Sequence, residues 1–388
     1  MLFKDVLVDE SLKKRLINLV KENRISHAQL FLAPAGSHAF ALAMAYAQYI
    51  CCEHPGEDDS CGVCPSCAKF AKLSHPDVHI IFPNCTTTEV KKDPVFTQFA
   101  AKFRQFVFDH NYHIDINDWL MELGGENKQA FINTRDCSYI VNQNSIKSYE
   151  GGYKIYVLWS ADRLYRDAAP KLLKTLEEPE NKTLFILITE NTDKMLTTIL
   201  SRTQLVKIPK LKTEVIQQQL VKDFSISEEE AADIAVMADG NYNRALELMN
   251  DNSEYKETLN QIQLLLGSML ALSQPVPNKA EVNYLEVRDC IDAIISRGRE
   301  YQKNFLSAFI RILRSMLMKN CHQDAVSKAS NTENALIEQF AKAFNLKNVS
   351  QIFDECNKTL YHIERNGNSS LVFTDWYLKV SELISPRP

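Results

Sequence analysis

A short apolar run, a tight turn and a long alanine-rich segment follow one another between His27 and Tyr46. The run from Leu30 to Leu32 predicts a buried strand, and the segment after Ser37 predicts a helix. Strand, loop and helix in this order form the layout of a phosphate-binding loop, GxxxxGK[ST]. In that loop the backbone amides hold phosphates, while the lysine and the hydroxyl serve phosphate and Mg²⁺. The stretch therefore has the architecture of such a loop.

The residues that carry the chemistry of this loop have been replaced. Ala33 stands at the first glycine and His38 at the second, while Ala39 replaces the lysine and Phe40 the serine or threonine; Gly36 remains within the turn. Without the lysine and the hydroxyl, phosphate and Mg²⁺ lose their usual partners. We therefore expect this chain to bind no ATP.

A second element of a nucleotide site is altered at the end of another strand. The apolar run Lys154–Trp159 predicts a strand buried on both faces of a parallel sheet. In phosphate-loop ATPases acidic residues follow this strand and serve Mg²⁺ and the attacking water. Here Trp159 and Ser160 occupy those positions, and Asp162 comes two residues later. We interpret Asp162 as a helix cap or salt-bridge partner rather than a displaced metal ligand.

Ten cysteines are present, and half of them lie between positions 51 and 67. Four have the spacing C-x8-C-x2-C-x2-C, and these are Cys52, Cys61, Cys64 and Cys67. Paired Cys-x2-Cys spacings allow thiolates to converge on one Zn²⁺, and four thiolates complete its tetrahedral shell. The pattern predicts a structural zinc site, with Cys51 and His54 as alternative first ligands.

Composition limits the remaining possibilities. A chain of 388 residues predicts two or three domains, and a net charge of −5 does not favour a protein that coats DNA by itself. The first residues, MLFKDVLVDESLKKRL, carry charges where a signal peptide needs an apolar core. No apolar run approaches the roughly 18 residues of a membrane span. We expect a soluble, cytoplasmic protein without a membrane partner.

The distribution of strand and helix patterns predicts three domains. Strands alternate with helices over residues 1–209, which predicts a parallel α/β sheet with right-handed crossovers. This domain contains the cysteine module (51–67) and an insertion (84–131), which we interpret as a helical hairpin. Residues 210–252 predict three short helices, and residues 253–388 are helical throughout.

Several of these segments together resemble the AAA+ clamp-loader family of bacterial DNA polymerase III. The similarity rests on APAGSHAFALA, on ADRLYRDAAPKLLKTLEEPENKTLFILITEN, on ILSRTQ and on the four-cysteine module. The family's LLKTLEEP stretch is present unchanged as Leu172–Pro179. Its Ser-Arg-Cys motif appears as Ser201, Arg202 and Thr203, which departs only at the third position. The similarity covers roughly residues 1–250, and the insertion departs from the usual pattern.

This resemblance implies roles for individual residues. Arg202 would act in trans as an arginine finger on a neighbour's ATP. Thr189 or Asn191 would occupy one sensor position and Arg244 the second, and residues 253–388 would form the collar through which subunits join. Partners would be gamma/tau and delta subunits in a pentameric ring that loads a sliding clamp onto primer–template DNA.

We therefore expect a non-catalytic subunit of the DNA polymerase III clamp loader. One alternative is an ATP-hydrolysing motor subunit of the gamma/tau kind, which the altered loop disfavours. Another is a zinc-dependent nucleic-acid-binding module, which the acidic net charge disfavours. The third is a purely structural scaffold, which differs from our expectation only through Arg202.

Overall fold

The computed structural model describes residues 1–124, 128–250, 253–273, 283–321 and 331–384. The predicted insertion, the middle region and the C-terminal region each include some residues that lie outside these ranges. The chain divides into two compact units. The first comprises residues 1–219 and 238–245, and the second comprises residues 220–237 and 246–388.

The first unit is built on a five-stranded parallel sheet. Its strands are β1 (Ala28–Leu32), β2 (Val78–Ile81), β3 (Lys154–Leu158), β4 (Thr183–Thr189) and β5 (Gln204–Lys207). They lie in the order β2-β3-β4-β1-β5, with Leu30 paired to Leu187 on one side and Leu205 on the other. Every residue of β3 and β4 is buried, as expected for inner strands covered on both faces. The predicted α/β sheet is confirmed.

Helices connect these strands and cover the sheet. They are α1 (Glu10–Lys21), α2 (Ala39–Cys51), α3 (Pro65–Ala71), α4 (Ala100–Asp109), α5 (Ile116–Glu122), α6 (Thr134–Asn144), α7 (Ala169–Glu177) and α8 (Thr197–Leu200). Helix α1 is capped at its start by Asp9, whose carboxylate accepts a hydrogen bond from the Ser11 amide at 2.8 Å. Helix α2 is buried from Ala39 to Tyr49, which its small alanines allow. A 3₁₀ turn (Thr192–Lys194) precedes α8.

The insertion contributes an aromatic core that extends the sheet's hydrophobic core. Phe103 of α4 stacks on Phe82 at 3.9 Å between ring centroids. Trp119 of α5 is fully buried, and its indole N–H donates to the carbonyl of Pro83 at 2.8 Å. The buried phenylalanines of this segment, Phe96, Phe99, Phe103 and Phe106, therefore serve as core residues.

A buried carboxylate, Asp136, ties the insertion to α6. It accepts hydrogen bonds from Asn84 Nδ2 (2.9 Å), from the Phe96 amide (3.0 Å) and from the Asn133 amide (2.8 Å). Asn133 in turn caps α6 through its side-chain oxygen. Withdrawal from water raises the pKa of Asp136, and these three donors oppose that rise.

The rest of the chain is helical. Three helices cover the middle region: α9 (Thr213–Phe224), α10 (Glu228–Met237) and α11 (Tyr242–Asn250). The C-terminal helices are α12 (Ser253–Ser273), α13 (Tyr284–Ser296), α14 (Arg299–Asn320), α15 (Asn331–Phe340), α16 (Leu346–Glu364) and α17 (Ser369–Ile384). The sequence predicts a helical pattern over residues 210–388, and the described residues of this region are helical accordingly. Within the described ranges, no helix is both long enough and apolar enough to cross a lipid bilayer.

Candidate functional site: a filled nucleotide pocket, an exposed arginine and a cysteine cluster

The loop between β1 and α2 keeps the backbone path of a phosphate-binding loop. The Ala33 amide donates to the Thr189 carbonyl at 3.0 Å, which joins the loop to the end of β4. Gly36 adopts a positive φ of 66°, and α2 begins at Ala39. The loop thus lies at the carboxyl edge of the sheet, where parallel α/β sheets bind ligands.

Side chains fill most of the pocket beside this loop. Phe40 is buried, and its ring lies 6.0 Å from that of Phe103 and 6.3 Å from that of Tyr112. Ile114 and Trp159 line the same pocket, whose remaining volume is about 30 Å³. This is the order of one or two water molecules and far less than the roughly 300 Å³ or more of a small-molecule site.

A second segment of the same unit closes the loop from the other side. The side chain of Asn241 lies against Gly36, and the Tyr242 amide donates to the Gly36 carbonyl at 3.3 Å. Tyr242 is buried, with its ring 4.7 Å from that of His113. Gly36 is therefore covered by residues of this chain.

His38 is held as a neutral acceptor inside this arrangement. Its Nδ1 accepts a hydrogen bond from the Leu7 amide at 2.8 Å, and its ring stacks on His113 at 3.6 Å. Burial, together with the nearby His113 and Lys13, places the pKa of His38 well below its usual range. The imidazole thus carries no charge toward a phosphate at neutral pH.

The two residues after β3 are not the acidic pair that serves Mg²⁺ and water in a phosphate-loop ATPase. Trp159 is buried with its ring 5.5 Å from that of Phe103, and Ser160 adopts a left-handed φ of 52°. Asp162, for which the sequence suggests a helix cap or a salt-bridge partner, lies within a 3₁₀ turn, and its carboxylate accepts a hydrogen bond from Thr189 Oγ1 at 3.1 Å. No carboxylate stands directly after β3 to receive Mg²⁺.

Glu190 is a carboxylate at this edge that the sequence analysis missed. It directly follows β4 and lines the small pocket. Although part of its side chain reaches solvent, the surrounding protein withdraws the carboxylate from water, and Asp115 and Asp162 add repulsion. These effects raise the pKa of Glu190 to about 7. Only the fold brings these three acidic groups near one another, so the sequence offered no signal.

The two sensor-like residues have structural contacts. The Asn191 side chain accepts a hydrogen bond from the Asp193 amide at 2.8 Å and so caps the 3₁₀ turn after β4. Arg244 lies in the first turn of α11, and its amide is capped by Asn241 Oδ1 at 2.9 Å. Neither residue lines the small pocket.

Arg202 lies between α8 and the edge strand β5, away from the filled pocket. Its guanidinium forms an ion pair with Glu177, the last residue of α7. It also donates to the Thr198 carbonyl at 2.8 Å and to Ser201 Oγ at 3.2 Å. About a third of the Arg202 side chain is exposed, so a group from outside the chain can reach it.

The four predicted cysteines come together. Their sulfur atoms all lie within 4.8 Å of one another, and Cys52 and Cys67 approach to 3.7 Å. Four sulfurs at about 2.3 Å from a central Zn²⁺ would stand about 3.8 Å apart, whereas a disulfide requires about 2.05 Å. Within the described ranges, no other group of three or more potential metal-ligand residues converges in this way. Neither Cys51 nor His54 belongs to the group.

Backbone amides support this cluster. The Cys61 amide donates to Cys52 Sγ, the Cys64 amide to Cys61 Sγ and the Cys67 amide to Cys64 Sγ, at 3.3 to 3.4 Å. Amides that point at Cys61 lower the pKa of its thiol to about 6, whereas burial raises that of Cys67 to about 12. Such N–H···S contacts favour thiolates, which are the form that binds metal.

The N-terminal residues anchor the cysteine module to the first unit. Asp59 accepts hydrogen bonds from the amides of Phe3 and Lys4, each at 3.0 Å. Gln48 of α2 donates to Ser60 Oγ at 2.9 Å. The module is thus coupled both to the first residues of the chain and to α2.

Comparison with known proteins identifies similar sequences. The model of the family described as DNA polymerase III, delta subunit, matches residues 8–212. Subunit delta' of DNA polymerase III from Bacillus subtilis is 27% identical over 245 residues, which cover 63% of this chain and 60% of that protein. Subunit delta' from Escherichia coli is 23% identical over 376 residues, which cover 96% of this chain and 94% of that protein.

Tau subunits of DNA polymerase III are also similar to this chain. Subunit tau of DNA polymerase III from Bacillus subtilis is 24% identical over 326 residues, which cover 81% of this chain and 50% of that protein. The matched regions thus span about half to 60% of the lengths of these two Bacillus relatives. Because the chain is similar to both delta' and tau subunits, overall similarity does not distinguish the two kinds. The residues of the loop after β1 and of its pocket must do so.

Proposed function

Because the chain belongs to the DNA polymerase III delta subunit family, we propose that it is a delta-prime-like, non-catalytic subunit of a clamp loader. In this proposal it joins gamma/tau and delta subunits in a pentameric ring in the cytoplasm. The ring places the sliding clamp on primer–template DNA. This chain supplies Arg202 in trans to the ATP of a neighbouring motor subunit.

The observation that carries the non-catalytic assignment is the filled pocket. A motor subunit needs a lysine for the phosphates and carboxylates for Mg²⁺ and water. At those positions this chain has Ala39, Trp159 and Ser160, and about 30 Å³ of free volume remains beside Phe40. These features favour a delta-prime-like subunit over a tau-like motor.

The position of Arg202 supports a role toward a neighbour. The residue precedes the edge strand β5, so it stands at a border of the sheet rather than beside its own loop. An arginine finger stabilises the charge that develops on transferring phosphate, and its planar fork suits phosphate oxygens. Exposure and position together favour contact with a nucleotide held by another subunit.

We also propose roles for the remaining parts of the chain. Cys52, Cys61, Cys64 and Cys67 would hold one structural Zn²⁺, because four thiolates leave no coordination place for water or substrate. Residues 210–252 would form a lid-like helical domain, and residues 253–388 a collar through which subunits assemble. Asn191 and Arg244 would keep their sensor positions without contacting a nucleotide of this chain.

Reconstitution with the other clamp-loader subunits tests the proposal. Arg202→Ala should leave assembly intact, because an exposed side chain usually changes stability by about 0.5 kcal/mol or less. It should lower ATP turnover at the site that receives Arg202 by about 10³-fold or more, which is the effect of losing an arginine finger. The turnover of the whole complex should fall less, because its other active sites remain intact. Arg202→Lys should rescue poorly, because an ammonium lacks the planar fork.

Two results would contradict the proposal in different ways. ATP hydrolysis by the isolated chain, abolished by a change in its own loop, would make it a motor subunit. Wild-type turnover and clamp loading by the Arg202→Ala complex would make it a structural scaffold only.

A further inference from the structure

The guanidinium of Arg202 is bound within its own chain. Its Nε donates to a carboxylate oxygen of Glu177, and Nη2 contacts the same oxygen in the ion pair. Its Nη1 donates to the Thr198 carbonyl and to Ser201 Oγ. A guanidinium has five N–H donors, and most of them point to groups of this chain.

This arrangement is unfavourable for a finger that must engage phosphate. The edge of the guanidinium that could present two parallel N–H groups, from Nε and Nη2, is already occupied by a carboxylate. Glu177 also neutralises the positive charge that attracts a phosphate. The Thr198 and Ser201 contacts, in contrast, hold the opposite end of the group and can persist while it engages a ligand.

From this geometry we infer that Glu177 is the resting counter-ion of Arg202, and that it competes with a neighbouring subunit's nucleotide for the guanidinium. The inference rests on the proposed role of Arg202 in trans. Before assembly the carboxylate holds the arginine at the surface of α7. When a nucleotide is presented, its phosphate takes the Nε–Nη2 edge, and Glu177 is released to solvent.

The pair is weak enough to be exchanged in this way. About a third of the Arg202 side chain and 44% of the Glu177 side chain are exposed. Exposed ion pairs contribute little because water screens them and because two long side chains must be ordered. A phosphate with two or more negative charges in a desolvated interface offers a stronger partner than one solvated carboxylate.

Substitution of the carboxylate by an amide isolates the competition. Glu177→Gln keeps the size and one hydrogen-bond acceptor but removes the charge. At the site that receives Arg202, the ATP concentration for half-saturation should fall by about two- to five-fold, corresponding to an exposed pair of up to about 1 kcal/mol. The turnover number of that site should stay unchanged, since the contact in the transition state is the same.

Glu178 provides a matched control. It is the next residue along the chain, it is exposed, and it forms no ion pair with Arg202. Glu178→Gln makes the same change in net charge and should leave half-saturation unchanged. Glu177→Ala is a second test variant, because it also removes the competing charge and should shift half-saturation in the same direction as Glu177→Gln.

The experiment compares Glu177→Gln, Glu177→Ala and Glu178→Gln in reconstituted complexes, each with Arg202 and with Arg202→Ala. ATP titrations that resolve the individual sites give half-saturation and turnover. The inference is supported if the Glu177 variants tighten half-saturation with Arg202 present and change nothing with Arg202→Ala.

Three other outcomes would overturn it. A lower turnover number in Glu177→Gln would make Glu177 a positioning residue rather than a competitor. If half-saturation is unchanged in the Glu177 variants, or shifts equally in Glu178→Gln, Glu177 has no specific role toward Arg202. If Arg202→Ala alone has no effect, the proposed finger fails first, and that result is distinct from a failure at Glu177.

Discussion

The side chain of Asn241 occupies the space beside Gly36 in the loop after β1. A Cβ added to Gly36 would stand 1.7 Å from Asn241 Oδ1, and the φ of Gly36 is 66°. The same Oδ1 caps α11 by accepting a hydrogen bond from the Arg244 amide. The remaining glycine of the degenerate loop is therefore required by contact with the chain itself, and no phosphate is needed to explain it.

Gly36→Ala should destabilise the first unit. The positive φ alone costs an alanine about 1 kcal/mol, and the overlap with Asn241 adds to this cost. Urea unfolding of the purified chain measures the loss. Asn241→Ser should be nearly neutral, because serine also caps helices and occupies less space. In the double variant, the part of the stability loss that comes from overlap with Asn241 should disappear, and the part that comes from the positive φ should remain. If Gly36→Ala costs the same in the wild-type and the Asn241→Ser backgrounds, the contact is contradicted.

The filled pocket predicts that a single restored residue will not restore nucleotide binding. Ala39→Lys supplies the missing ammonium, but Phe40 and Ile114 still line the small pocket and Trp159 still stands after β3. Titration of the isolated variant with Mg-ATP by calorimetry should give no measurable heat up to millimolar concentration. The motor subunit of the same complex serves as the positive control. Micromolar affinity in either the wild type or Ala39→Lys would show that the aromatic side chains leave the site easily.

Much of the sheet could be predicted from the sequence because its strands are continuous apolar runs. TLFILIT is buried at every residue of β4, so no alternation was needed to recognise it. The cap at Asp9 and the cysteine spacing are likewise local signals, and both kinds of local signal appear in the structure. Local chemistry thus gave the elements and the candidate metal ligands.

Contacts between distant segments could not be predicted in the same way. Nothing in the sequence indicates that Tyr112 of the insertion will lie beside Phe40, or that Asn241 will cover Gly36. Phenylalanines at helical spacing can be core residues or partner contacts, and only tertiary packing distinguishes these.

The cysteine module should contain one Zn²⁺ per chain, measured by elemental analysis of protein purified without chelator. Cys64→Ser should remove the metal, whereas Cys51→Ser should retain it, because Cys51 lies outside the cluster. Metal-free protein of wild-type sequence, or loss of metal in Cys51→Ser, would contradict the assigned ligands.

Chelation should loosen more than the cysteine loop itself. Asp59 lies between the ligands and holds the amides of Phe3 and Lys4, so hydrogen exchange at these amides should accelerate with that of residues 52–67. The strands of the sheet should keep their protection, because the metal organises a local segment. Loss of protection in β4 after chelation would instead show that the metal supports the whole unit.

Two histidines of the first unit, His38 and His79, are withdrawn from water and stay neutral in the folded state. We therefore expect the first unit to lose stability in mild acid. Burial lowers the pKa of His79 to about 4, aided by the nearby Lys154 and opposed by Asp77, and the pKa of His38 lies well below its usual range. In the unfolded chain both titrate near about 6.5. Below that pH the unfolded state binds protons that the folded state does not. Each histidine should therefore lower the free energy of unfolding by up to about 1.4 kcal/mol per pH unit below about pH 6.5, with little effect above that pH. For His79 this loss should continue down to about pH 4.

Variants can separate the effect of the histidines on stability from that of Glu190, which has the opposite sign. Glu190 has a folded pKa of about 7, raised from its ordinary 4.5, so its folded form holds a proton that the unfolded form releases between these values. Its contribution thus increases stability as pH falls through about 7, and Glu190→Gln should make the acid loss steeper. His79→Phe keeps an aromatic ring on Tyr156, which His79 stacks on at 5.0 Å, and should make the loss shallower. Replacement of the exposed His362 by Gln is the control. The midpoints of urea unfolding between pH 4.5 and 8 measure the stability of all three variants. If the plots of midpoint against pH run parallel for wild type and His79→Phe, His79 is not the group whose protonation destabilises the fold.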